Sequence, residues 1–533
     1  MLLLNRFCLN VNLCIVIYLV DFIICVNNNG PWVKMSHGQV WPKPMEQRNT
    51  NEYYLIEPKN FRLQVLQNNC DDLQNAIKRY KKMLFIKGNN AIKNTISSIS
   101  DENNNSVKKL DSLKIYLENY CEKYPSLDMN ETYTINITHS IGVLTAVSIW
   151  GIYRGLETFS QLVYLTEDGT FQVRGTFIKD YPKYSHRGYM LDTSRHFLDV
   201  KTILTSLDAM AYSKLNVFHW HIVDDPSFPF ESTSFPKLSE KGAYDKYSVY
   251  TKADVKHIIE YARLRGIRVI PEFDTPDHTG SWGPGGQPGL LTQCSESDPT
   301  ILGPIDPTLK ENYDFLKTLF TEVKGLFPDE YLHLGGDEVR HDCWDNNTRI
   351  VKFMEDHNMS SILDLENYYF QNVFEITNTL NFKSIVWDEL FNNKVQLDQN
   401  SIVQVWQGDY INRTLNVLES GHYALLSSCW YLNYVQYGTD WLEYYNCDPK
   451  NFFIKPEYNH LFLGGEACMW GEFVDDSNVL QFSWPGASAV GEVLWSHTTN
   501  ETEAAPRLEE HICRLKRRGI PAKPSNGPSF CYY

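Results

Sequence analysis

Apolar and polar positions follow two rhythms along this chain, and the rhythm changes near residue 185. Before that point Tyr133-Thr-Ile-Asn-Ile-Thr138 alternates at the two-residue period of a strand. Gly142 to Val163 places Leu144, Val147, Leu156 and Phe159 at spacings that follow a helical face, and predicts a helix. Ser97 to Lys109 is rich in Asn and Ser without a period, which predicts a surface loop. Residues 31–184, with Val40-Trp41-Pro42 near their start, thus read as a small α/β domain.

Beyond His186, short β-rich runs alternate with amphipathic stretches. Eight runs stand out: Arg187–Thr193, Leu215–Val223, Ile267–Asp274, Tyr331–Asp337, Lys383–Asp388, Ser401–Trp406, His422–Ser428 and Leu461–Trp470. Between them Val200, Ile203, Leu204, Leu207 and Met210 share one helical face, and Lys252 to Arg265 behaves likewise. Alternating strands and helices imply parallel pairing, and eight units over residues 185–533 predict a (β/α)8 TIM barrel. Such barrels carry their sites at the C-terminal strand ends. The runs end in Asp192-Thr-Ser-Arg195-His196, Asp224-Asp225, Asp274-Thr-Pro-Asp-His278, Asp337-Glu338, Trp387-Asp388-Glu389, Trp406, Trp430-Tyr431 and Trp470-Gly-Glu472, so acids, His and Trp gather on the expected edge.

Composition narrows the classes. The chain has 533 residues, 43% hydrophobic and 21% charged, enough for two folded domains. A net charge of −16 opposes a nucleic-acid partner. Arg6 followed by the apolar runs Leu13–Val20 and Phe22–Val26, interrupted by Asp21, reads as a signal peptide over residues 1–26 rather than an anchor. No later segment reads as a membrane span, and the expected destination is the secretory pathway, lysosomal or extracellular. Of the 12 cysteines, Cys8, Cys14 and Cys25 would leave with that signal, and the odd remainder implies an unpaired thiol. Sequons at Asn104, Asn130, Asn136, Asn346, Asn358, Asn412 and Asn500 fit the same route.

Trp387, Trp406 and Trp470 at strand ends point to a sugar, because indole faces pack on the apolar face of a pyranose. A single Trp there would read as core. Asp337-Glu338 follows Gly335-Gly336, which leave room for a ligand or a neighbouring backbone. An exposed acidic turn is the plain reading of such a pair, but this one follows a buried run. Adjacent strand side chains diverge to opposite faces, so the two suit the acid-and-nucleophile pair of ordinary retaining glycosidases poorly. They suit a different division, with Glu338 protonating the leaving oxygen and Asp337 holding a 2-acetamido group that serves as nucleophile.

The strings His186-Arg-Gly188, Leu191-Asp-Thr-Ser-Arg-His196, Lys214-Leu-Asn-Val-Phe-His-Trp-His221, Val223-Asp-Asp-Pro-Ser-Phe-Pro229, Ile270-Pro-Glu-Phe-Asp-Thr275, His333-Leu-Gly-Gly-Asp-Glu-Val339 and Gly464-Gly-Glu-Ala-Cys-Met-Trp-Gly-Glu472 occur in order. On them the chain resembles glycoside hydrolase family 20, and within it the animal lysosomal-type β-N-acetylhexosaminidases. The resemblance spans nearly all of the chain after the signal. It implies a retaining exo-β-N-acetylhexosaminidase that releases terminal GlcNAc or GalNAc from glycoconjugates through an oxazolinium intermediate. In that reading Glu338 is the general acid/base, Asp337 orients the acetamido group and Tyr431 holds its oxygen. Trp387, Trp406 and Trp470 wall the subsite, Arg195 and Glu472 grip hydroxyls, and Asp224 with His278 tunes Glu338, whose pKa is expected to be raised by burial near other acids.

Two positions depart from the family. Asp277 stands where the family has Gly, adding a charge beside His278. Asn433 is followed by Tyr434, whereas the type that takes anionic sugars carries Asn then Arg and the neutral-preferring type carries Asp. The resemblance also implies disulfides Cys70–Cys121, Cys294–Cys343 and Cys513–Cys531, a fourth loop pair Cys429–Cys447, a free Cys468 and a homodimer. Neither metal nor cofactor is expected; His219 and His221 alternate on a strand and read as core hydrogen-bonding groups. Two other functions fit the same features, a chitin-oligosaccharide-degrading N-acetylglucosaminidase and a glycan-binding protein without catalysis.

Overall fold

The computed structural model describes residues 30–86, 108–166, 168–295 and 297–531. The signal segment with Cys8, Cys14 and Cys25, the Asn104 sequon and residues 97–107 of the expected loop lie outside the described residues. A mixed sheet comes first, formed by β1 (Glu46–Ile56), β2 (Arg62–Gln67), β3 (Ser112–Leu117), β4 (Tyr133–Thr138), β5 (Ile141–Ala146), β6 (Tyr164–Leu165) and β7 (Phe171–Asp180). Its path runs β1-β7-β4-β5-β3-β2, with β6 paired to β7. Helices Asp71–Met83 and Ile149–Leu162 cover it and share its core.

One expectation fails here. Residues 142–146 are strand, not helix: β5 pairs antiparallel with β4 and parallel with β3, and its burial alternates. Helical spacing among Leu144, Val147 and later residues came from joining two elements. Ser148 separates them, accepting the Gly151 N–H at 3.1 Å as N-cap of the true helix.

Eight parallel strands close the second unit. They are β8 (His186–Asp192), β9 (Val217–Val223), β10 (Arg268–Phe273), β13 (Tyr331–His333), β14 (Lys383–Trp387), β15 (Ile402–Val405), β16 (Tyr423–Leu426) and β17 (Phe462–Met469), while β11 (Leu291–Gln293) and β12 (Leu302–Ile305) form a separate hairpin. β8, β9 and β10 are buried throughout, as expected when helices cover one face and the barrel interior takes the other. All eight sequence runs contain a strand, but the fourth is shorter than expected. β13 stops at His333, because Gly335 and Gly336 take φ of 70° and 94° and turn the chain off the ladder. A Cβ on Gly335 would lie 1.7 Å from Asp274 Oδ1. The glycines therefore admit a neighbouring side chain, and Asp337 and Glu338 sit in a turn where strand alternation does not apply.

The four expected disulfides are present and Cys468 is free and buried. The two units are joined by buried charge. Glu131, from the loop before β4, accepts Arg154 Nε at 2.7 Å and Arg187 Nη2 at 2.7 and 2.8 Å on its two oxygens. Burial pushes the Glu131 carboxyl up, and the two guanidiniums overcome this and hold it below its ordinary value. Nearby, Lys214 on the barrel pairs with Asp180 of β7 at 2.8 Å. Removing one partner strands buried charges. Glu131→Gln is therefore expected to cost roughly 3–5 kcal/mol of unfolding free energy, read by denaturant titration. The difference should shrink as pH falls through the depressed Glu131 pKa, where the native carboxylate also loses its charge.

Candidate active site

The strand register decides what faces the barrel axis. Glu272 of β10 lies level with His221 of β9 and His333 of β13. Glu466 of β17 lies level with Gly188, where an added Cβ would meet Glu466 Cγ at 2.4 Å. These carboxylates and histidines form an unbroken column. His186 Nε2 meets Glu466 at 2.6 Å, Glu466 meets His219 Nδ1 at 2.8 Å, and His219 Nε2 lies 3.0 Å from Glu272. Glu272 then meets His221 Nδ1 at 2.5 Å, and His221 Nε2 meets Asp224 at 2.7 Å. Burial lowers the histidine pKa values and prevails at His186 and His333, but at His219 and His221 the flanking carboxylates win, pushing His219 up to about 9 and His221 up to about 10. Glu466, Glu272 and Asp224 are held below their ordinary values by the same contacts, against burial. Charge thus alternates from Glu466 through His219, Glu272 and His221 to Asp224 at the rim.

At the rim Asp224 also pairs with Arg195 at 2.7 Å and lies 3.3 Å from His278 Nδ1. His278 Nε2 stands 3.7 Å from Asp337 and 3.6 Å from Glu338. Burial alone would lower the His278 pKa, but Asp274, Asp337, Asp224 and Glu338 raise it far above, so it is an imidazolium. Asp274 and Asp337 are neighbouring buried acids, both raised, first by burial. Asp274 is the one pushed furthest, by burial and by Asp337. Its Oδ1 accepts the Gly336 N–H at 3.0 Å, anchoring the turn that carries Asp337.

Glu338 departs from the expectation of a buried acid with a raised pKa. Its side chain is 61% exposed, and its contact with the His278 cation lowers the carboxyl below its ordinary value despite partial burial. The turn after Gly336 carries Glu338 outward to solvent while Asp337 stays buried. Asp277 does not act as a loose extra charge: Arg340 Nη2 and Nε reach it at 2.6 and 3.0 Å, and it accepts the Arg340 N–H at 2.7 Å.

Aromatic rings wall the space beside these acids. Trp387, Trp470 and Tyr431 are buried and cluster with Met190, Cys468 and the half-buried Trp406. Trp387 and Trp470 lie 6.0 Å apart, Tyr431 and Trp470 6.4 Å, and Trp406 stacks on Tyr431 at 6.4 Å. Glu272 fixes Trp387 by accepting its indole N–H at 2.9 Å. Arg195 rests 5.0 Å from the Trp470 ring centre, and the exposed Glu472 carboxylate is close enough to raise its pKa. Tyr434 stacks on Tyr431 at 5.8 Å, beside the half-buried Asn433. Among the described residues Asp337 Oδ1, Asn433 Oδ1 and Trp406 Nε1 are buried without a hydrogen-bond partner. The structure therefore brings every residue expected at the site to one rim. Among the described residues three clusters, Glu272 with His219 and His333, Asp224 with Asp225 and His278, and Asp274 with His278 and Asp337, hold donor atoms within 4.8 Å. In each a histidine nitrogen faces a carboxylate, His219 and Glu272 at 3.0 Å, His278 and Asp224 at 3.3 Å, and His278 and Asp337 at 3.7 Å.

Sequence reading assigned no role to Glu272, Asp274, Glu389 or Arg340. For Glu272 a signal existed: a lone acid inside an apolar run, level with His on both neighbouring strands, must be paired.

Comparison with known proteins agrees with this geometry. The family model described as glycosyl hydrolase family 20, catalytic domain, matches residues 184–498, and one described as beta-acetyl hexosaminidase like matches residues 40–162. The chain belongs to glycosyl hydrolase family 20. It is 45% identical over 505 residues to β-hexosaminidase subunit β of Mus musculus, covering 93% of each chain. It is 44% identical over 496 residues to the Homo sapiens β subunit, covering 91% of this chain and 88% of that one. Among solved structures a Flavobacterium johnsoniae chitobiase is 27% identical with a TM-score of 0.76, covering 90% of this chain and 73% of that one. A Streptomyces plicatus N-acetyl-β-hexosaminidase, at 21% identity and a TM-score of 0.72, covers 93% and 98% and shares the fold. The chain is a glycoside hydrolase with exo-β-N-acetylhexosaminidase activity.

If His278 sets the Glu338 carboxyl, His278→Asn should raise the Glu338 pKa toward its ordinary value. Carbon-13 NMR of labelled glutamate in the sugar-free protein would follow that titration. An unchanged midpoint would refute the link.

Proposed function

We propose that the chain removes terminal β-linked N-acetylhexosamine with retention, using the sugar's own acetamido oxygen as nucleophile. Asp337 carries the reading: among the described residues its Oδ1 is buried without a hydrogen-bond partner, its charge reaches Tyr431 of the aromatic cluster, and it is next to the solvent-facing acid Glu338. The acetamido oxygen attacks C1 as the glycosidic bond breaks, and Glu338 gives its proton to the leaving oxygen. Asp337 accepts the acetamido N–H as positive charge develops there, and the Tyr431 hydroxyl steadies the acetamido oxygen. Glu338, now a carboxylate, takes a proton from water whose oxygen attacks C1 and reopens the ring. A bound sugar covers Glu338, and loss of water raises its pKa toward that of an acid catalyst. Trp387, Trp406 and Trp470 hold the pyranose, and Arg195, Asn433 and Glu472 receive its hydroxyls.

The setting we infer is the secretory pathway, ending in the lysosome or outside the cell, with a homodimer as the working form. Four disulfides suit an oxidising compartment, and Asn130, Asn136, Asn346, Asn358, Asn412 and Asn500 are all exposed, as glycan acceptors must be. Among the described residues no helix is long and apolar enough to cross a membrane.

Hydrolysis of 4-nitrophenyl N-acetyl-β-glucosaminide should far exceed that of the corresponding β-glucoside, with an acidic optimum. Glu338→Gln should lower kcat on alkyl N-acetylglucosaminides by about 10²–10⁴-fold. Asp337→Asn should lower it by about 10²–10³-fold. Equal rates on the two sugars would end the acetamido mechanism.

A further inference from the structure

We propose that Glu389 is a positioning residue for hydrolysis: its carboxyl holds the peptide of Glu338 in the left-handed turn that presents the acid to the glycosidic oxygen. This rests on the reading of Glu338 as the proton donor.

Glu389 lies on the short helical turn Asp388–Asn392 that follows β14 directly. Its Oε2 accepts the Glu338 N–H at 3.1 Å. Its Oε1 accepts Gln407 Nε2 at 2.8 Å, one residue beyond Trp406. One carboxyl thus ties together the loops after β13, β14 and β15, which bear the acid and two of the aromatic walls. Glu338 needs such a tie because its φ is 50°. That region is strained for a non-glycine residue and persists only when the surroundings impose it. No ladder or helix bond reaches Glu338, since β13 ends at His333 and the next helix begins at His341. Downstream, Asp277 holds the Arg340 N–H, so the turn is braced on both sides of Val339.

The surroundings of Glu389 are acidic. Asp337 and Glu338 face it from the turn after β13, and Asp388 lies beside it on its own element, paired with Arg413 at 2.9 Å. Burial, with Asp337 and these neighbours, pushes the Glu389 carboxyl up to about 7. In acid it carries a proton and still accepts the Glu338 N–H through one oxygen. Glutamine has the shape of that form: its oxygen can take the Glu338 N–H, and its NH₂ can face the Gln407 oxygen once that amide turns over.

The experiment compares Glu389→Ala, Glu389→Gln and Glu389→Asp in the full chain, with thermal unfolding to confirm folding. Substrates are methyl N-acetyl-β-glucosaminide, whose leaving group needs a proton, and the 2,4-dinitrophenyl glycoside, whose leaving group does not. Glu389→Ala should lower kcat on the methyl glycoside about 10- to 100-fold, with little change on the dinitrophenyl glycoside and KM preserved on both. Glu389→Gln should restore most of the loss. Glu389→Asp, too short to reach both partners, should show the same leaving-group bias if the alanine variant does not fold. Equal losses on both substrates, or no loss, overturn the proposal. Glu338→Gln on the same pair separates the two readings: without a leaving-group bias there, Glu338 is not the proton donor. With that bias in Glu338→Gln but none in the Glu389 variants, only the role of Glu389 falls.

Discussion

Two carboxylates, Glu272 and Glu466, sit inside a closed parallel barrel, where an uncompensated charge costs several kcal/mol. The site depends on how that cost is met. Strand register puts a histidine beside each acid, and every cation is answered by the next anion up the axis. Glu272 spends its oxygens on His219, His221, His333 and the Trp387 indole. The same atom pair therefore fixes one wall of the sugar subsite and starts the chain of contacts that ends at His278. Backbone hydrogen bonds of the strands hold the column straight, so its upper end is set to within the tolerance of a sheet.

Above the ladder, precision has to be rebuilt from side chains. β13 ends early, and beyond it Gly335, Gly336 and Glu338 take positive φ, a conformation that suits the glycines but not Glu338. Asp274, Glu389 and Asp277 each accept an N–H from this segment, at Gly336, Glu338 and Arg340. Three acids thus replace the missing strand partner. Burial, and crowding with Asp337, raise the pKa values of Asp274 and Glu389, which opposes the build-up of local negative charge.

Much of this could be read from the chain. Buried runs with polar ends predicted all eight barrel strands, because a parallel barrel is apolar along its strands and chemical only at one edge. The rim residues from Arg195 to Glu472 were visible for that reason. What stayed hidden follows from register and turns. Residues 141–146 combine β-branched residues with a following helix, and one periodicity was drawn across both. Glu338 was expected to be buried, since nothing local shows that Gly335 and Gly336 swing it outward. Glu389 stands among the strand-end acids but carries no legible role, because it acts on a backbone N–H, which every residue but proline has.

The grip of Glu131 on Arg154 and Arg187 has a consequence for modularity. The family matches stop at residue 162 and resume at 184, and the first sheet ends at Asp180, as though two cassettes had been joined there. Arg187 lies in the first barrel strand, wholly buried, and its counter-ion belongs to the other cassette. Lys214 and Asp180 repeat the arrangement close by. A barrel excised from its partner would carry bare cations in its own wall. The smallest portable unit is the pair, and recombination at the seam would have to exchange both sides together.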